Sequence, residues 1–136
     1  MLARSFLSAE DLGIRQDQRD ALIKVLHMLE RGELVHTVFS RVHHTIFARE
    51  THRGFNMTLW VEKHRCGTIA CIGGWAELVA NDSNLFDVVV NKLDELFCPP
   101  RDEVANYASV TVEQASRALS SYLTTGDPRW SEATKS

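Results

Sequence analysis

Thr68-Ile69-Ala70-Cys71-Ile72-Gly73-Gly74-Trp75-Ala76-Glu77-Leu78-Val79 sets Ile69, Ile72, Trp75, Ala76 and Val79 at three- and four-residue steps. That spacing stacks the five side chains on one face of a helix. Thr68 can cap its first turn through the hydroxyl. Cys71, Leu78 and Ala80 widen the apolar arc, so a helix here is buried on most sides. Gly73-Gly74 inside it costs about 1 kcal/mol per residue against alanine, which is easiest to explain if another backbone packs close by.

The helical period recurs on both sides of this stretch. Ala21, Leu22, Val25, Leu26 and Leu29 predict a helix that begins near Asp17 and stops at Gly32. Ser83 is the natural cap of a further helix with Leu85, Phe86, Val89, Val90, Leu93, Leu96 and Phe97 inward, ended by Pro99-Pro100. Pro100 can open a short helical turn running through Val104 to Tyr107. Thr111 with Gln114 makes a capping box, followed by the stripe Ala115, Ala118, Leu119 and Tyr122. Gly126 and Pro128 stop that helix, and Trp130 is expected to fold back on the body.

Residues 34–49 are mixed. Val35, Val38, Phe39, Val42, Ile46 and Phe47 keep helical spacing while short windows also alternate, and the segment is read as helix. Glu50 to Gly54 reads as a polar break, and Phe55 to Trp60 as a short turn anchored by Phe55, Met57 and Trp60. Residues 1–14 read as a loosely held arm from which Leu12 and Ile14 can dock, and 131–136 as a flexible tail. No hairpin signal, internal repeat or linker is visible. The expected fold is all-α, a single compact domain (1–136) of about five helices.

Composition agrees with a globular class. The chain has 136 residues, 44% of them hydrophobic, enough to bury a core without a disulfide or metal staple. A net charge of −3 excludes a polycationic nucleic-acid coat. Three cysteines exclude a disulfide scaffold and favour a reducing compartment. The first eight residues carry one basic side chain and no apolar run, unlike a secretory signal. The longest nearly uncharged stretch, Cys66 to Asn81, is too short for a membrane span. A cytoplasmic protein without membrane contact is expected.

Candidate chemistry concentrates in the middle of the chain. His64, Cys66 and Cys71 are the candidate metal ligands, but zinc sites need three or four converging side chains and no second close pair follows. The same residues are the candidates for thiol catalysis, with Cys66 or Cys71 as the thiol and His64 near in sequence, although the sequence shows neither a base within reach nor an oxyanion site. The plainer alternative makes the cysteines small core residues and His43, His44 and His52 exposed polar ones. Between positions 41 and 65, Arg41, Arg49, Arg53, Lys63 and Arg65 face only Glu50 and Glu62. With Phe55 and Trp60 among them, this basic stretch is a candidate anion or nucleic-acid surface, without any recognised nucleic-acid motif; a solvated face is the plainer reading.

Phe55-Asn56-Met57-x-x-Trp60 and Cys66-Gly67-Thr68-Ile69-Ala70-Cys71-Ile72-Gly73-Gly74-Trp75-Ala76 resemble the signature of a group of small uncharacterised bacterial and phage proteins. That signature is F-(N/D)-M-x-x-W, a polar gap, then C-G-T-x-(A/G)-C-I-(A/G)-G-(W/H)-A. Leu96-Phe97-x-Pro99 and Val112-x-x-Gln114-Ala115 to Gly126-Asp127 extend the likeness over roughly residues 17–130, the stretch 34–54 being longer and richer in histidine here. The resemblance implies a helical domain in a bacterial or mobile-element setting and names no reaction.

The leading expectation is a small non-enzymatic helical protein that acts through a protein partner or by self-association, with no cofactor. Its motive is an aromatic-rich surface motif, Phe55, Trp60, Trp75 and Trp130, beside no converging catalytic set. Binding-surface candidates are Phe55, Trp60, Arg41, Arg49, Arg53 and Arg65. Nucleic acid is the less favoured partner.

Overall fold

A computed structural model describes residues 5–36, 52–55, 57, 61–64, 67–86 and 92–134. The fold is compact and mostly helical. In chain order come α1 (Ala9–Leu12), α2 (Gln16–Glu30), β1 (Val35–His36), β2 (His52–Phe55), β3 (Val61–His64), β4 (Gly67–Ala70), α3 (Ile72–Ala80), α4 (Leu93–Phe97), α5 (Val112–Thr125) and α6 (Trp130–Ala133). Among the described residues no helix is long and apolar enough to cross a membrane.

Helix α2 sits at the centre and packs against both α3 and α5. Leu22, Val25 and Leu26 are fully buried, the three- and four-residue steps of the sequence turned into a core-facing stripe. Its one buried polar side chain, Gln18, donates through Nε2 to the Leu85 carbonyl at 2.8 Å, and Arg15 Nη2 reaches the same oxygen at 3.1 Å. A buried amide without such a partner costs roughly 1–3 kcal/mol, so α2 and the turn at Leu85 are held in register.

The sheet is where the structure departs from the sequence reading. Four short strands lie in the order β1-β2-β4-β3. β1 and β2 run parallel, as do β2 and β4, whereas β3 and β4 are antiparallel from Val61↔Ala70 to His64↔Gly67. Thr68 therefore lies within β4 instead of capping a helix, and Cys71 takes the cap. The apolar spacing runs unbroken across the strand-to-helix boundary, which is why it read as one helix. Val35 and His36 pair with Gly54 and Phe55 as strand rather than helix, and the polar break ending at Gly54 is largely β2. The rest of the helix expected over 34–49 lies outside the described residues.

The helix expected from Ser83 does not begin there, and its Val89 and Val90 lie outside the described residues. Residues 83–86 form turns, opened by Asp82, whose carboxylate takes the Asn84 N–H at 3.0 Å. The Leu85 carbonyl accepts from α2. Helix α4 carries Leu93, Leu96 and Phe97 and ends at Cys98, extended ahead of Pro99 (φ −126°, ψ 80°) as a residue before proline must be. After Pro100, the N–H groups of Glu103 and Val104 close a turn on its carbonyl.

Both ends of the chain pack on this body. Of the arm, residues 5–14 include α1, capped by Ser8 and closed by Gly13 at φ 72°; Ala9 and Leu12 are buried and Ile14 packs beside them. Leu7 N–H donates to the Leu123 carbonyl at 2.8 Å. Thr111 and Gln114 make the expected capping box of α5, and Gly126 (φ 85°) ends it. Trp130 does fold back, 1% exposed, with Nε1 donating to the Glu95 carbonyl at 2.8 Å. Residues 131–134 of the supposed tail complete α6 and bury Ala133.

Two substitutions test this packing. Trp75 Nε1 donates to the Gly54 carbonyl at 2.8 Å and ties α3 to β2. Trp75→Phe leaves that carbonyl unpaired and opens space, so urea unfolding should show a loss of about 2 kcal/mol. Tyr122, 1% exposed, buries a hydroxyl with no hydrogen-bond partner among the described residues. Tyr122→Phe should be neutral or stabilise by up to about 1 kcal/mol in the same measurement; a clear loss would show that the hydroxyl is bonded.

Candidate functional site

The motif Gly67 to Ala76 forms a strand-to-helix corner. β4 ends at Ala70, Cys71 turns the chain (φ −84°, ψ −173°), and α3 begins at Ile72. The Cys71 Sγ accepts the Gly74 N–H at 3.5 Å, doing with sulfur what a capping serine does with oxygen. Gly73 and Gly74 are buried in the first turn, and α3 lies against α2. The thiol itself is 3% exposed. Burial pushes it up to about 11, against the weaker downward pull of the Gly74 and Gly73 N–H groups. At neutral pH it is a protonated, enclosed group, unlike the accessible thiolate that nucleophilic catalysis uses.

His64 ends β3 and pairs with Gly67; Arg53 lies in β2 opposite Thr68. Cys66, Arg41, Arg49, Arg65 and Trp60 lie outside the described residues, as do His43 and His44. Among the described residues no three His, Cys, Asp or Glu side chains are placed to hold a metal ion. Cys98 is exposed at the end of α4, and partial burial, with Asp94 nearby, raises its thiol.

The expectation of an aromatic surface at Phe55, Trp75 and Trp130 is corrected. Phe55 is fully buried, Trp75 is 6% exposed and Trp130 1%. Pairing of Phe55 with His36 and Ala70 on either side makes it a central strand residue, and each indole N–H is spent on a backbone carbonyl.

A cleft of about 600 Å³ lies elsewhere, where the end of α2, β1 and the start of α5 meet. Leu29, Leu34, Val35 and Val112 give it an apolar lining, with Glu30 and Glu113 among its polar groups and no lysine or arginine among the described residues. Val35 is 54% exposed. Sequence reasoning missed this place because it joins positions about eighty residues apart, each read for its own helix end or strand. An exposed valine beside a helix stop is the one local signal, and single exposed apolar residues are common.

No protein-family model matches the chain, nor does any curated protein or solved structure at a significant level. The geometry above is therefore the ground for a functional reading.

Stability at alkaline pH tests the account of Cys71. The folded state raises Cys71 from 9.0 to about 11 and Tyr122, again by burial, from 10.0 to about 12. The unfolded chain thus loses these protons first. Stability is full below pH 9 and falls as pH rises toward 11 and then 12, by on the order of 2 kcal/mol for the thiol. Cys71→Ser keeps an acceptor for the Gly74 N–H and should flatten the fall between pH 9 and 11 in urea titrations. Iodoacetamide should label Cys98 in the native protein and Cys71 only on unfolding; rapid native labelling of Cys71 would refute its burial.

Proposed function

We propose that the protein is a small helical interaction protein, of the bacterial and phage group whose signature its central motif resembles, and that the cleft between α2, β1 and α5 receives a segment of a protein partner. The observation that carries this reading is Val35, which stands 54% exposed at that apolar cleft and is the exposed large hydrophobic among the described residues. Covering apolar surface returns roughly 25 cal/mol per Å², the term that drives most protein association.

Charge narrows the occupant. Glu113 is exposed at the cleft and no lysine or arginine among the described residues lines it, so the complementary segment offers apolar side chains flanked by a cation. The Glu113 carboxylate repels a phosphate backbone, which favours protein over nucleic acid here. The enclosed Cys71 thiol supports binding rather than thiol chemistry as the working activity.

The test combines two surface variants with a cross-linker. Val35→Asp and Glu113→Lys should keep the circular dichroism of the parent while weakening association at least tenfold, about 1.4 kcal/mol. A photo-reactive residue at position 35 should cross-link to an apolar side chain next to a lysine or arginine, in a second copy or in another protein. Light scattering separates those two cases. A strict monomer that yields no cross-link from position 35, or variants that associate as well as the parent, would overturn the proposal.

A further inference from the structure

We draw no further inference here: the strongest candidate, the hydroxyl-lined hollow along α5 formed by Ser116, Ser120, Ser121 and Thr124 beside Arg117, shares Glu30 and Ser116 with the cleft already described, and nothing in the structure shows what covers it.

Discussion

Burial of α2 on two sides is the constraint from which the rest of the structure follows. Leu22, Val25 and Leu26 are removed from water entirely, and each such side chain contributes roughly 1.5–3 kcal/mol. Asp17, Asp20, Lys24 and Glu30 keep one side of α2 in water, and the apolar stripe is covered by α3 and α5 together, two segments remote in sequence. Gln18 extends the constraint to a third segment. Its buried amide donates to the Leu85 carbonyl and so ties the turn at residues 83–86 to α2.

Trp75 and Trp130 complete the enclosure in a way phenylalanine would not. Each buries a large ring and carries one donor that must be paired. Trp75 finds the Gly54 carbonyl and Trp130 finds that of Glu95, and both bonds join elements far apart in the chain. The first bridges a helix and a strand; the second fixes α6 over α4. Gln114 and Arg117 of α5 add bonds to the carbonyls of Thr134 and Ala133, so the last helix is held from both sides. Polar pairing here sets the direction of packing that the apolar stripes already favour.

The sequence revealed most where structure is local. The capping box at Thr111 and Gln114, the stop at Gly126, the stripe of α2 and the return of Trp130 all depend on residues within a few positions or on gross hydrophobicity. The sheet was hidden for the opposite reason. β2 and β4 are four residues each and hold Gly54 and Gly67, poor strand formers whose pairing is decided by the partner strand. Ile69, Ile72, Trp75 and Ala76 keep a helical period across a corner that lies between them, so periodicity alone cannot place the boundary at Cys71. Phe55 and Trp75 drew attention as surface aromatics, although size and burial generally go together. The cleft was illegible because it exists only once positions 29–36 and 111–116 are brought together.

That last point bears on how function and fold are related in this chain. The residue types that usually signal chemistry, a cysteine at a helix start and tryptophans beside glycines, are spent on turning a corner and closing a core. What they build is the placement of α2 against α3 and α5. The cleft lies at the end of that arrangement, with Leu29 and Leu34 serving both as core residues and as its lining. Its described lining is therefore tied to core packing at Leu29 and Leu34. A substitution in the α2 stripe that shifts α5 by a fraction of an ångström changes the distance between Val35 and Val112 without touching either. Binding at the cleft would in turn favour the packed state over the unfolded one by mass action.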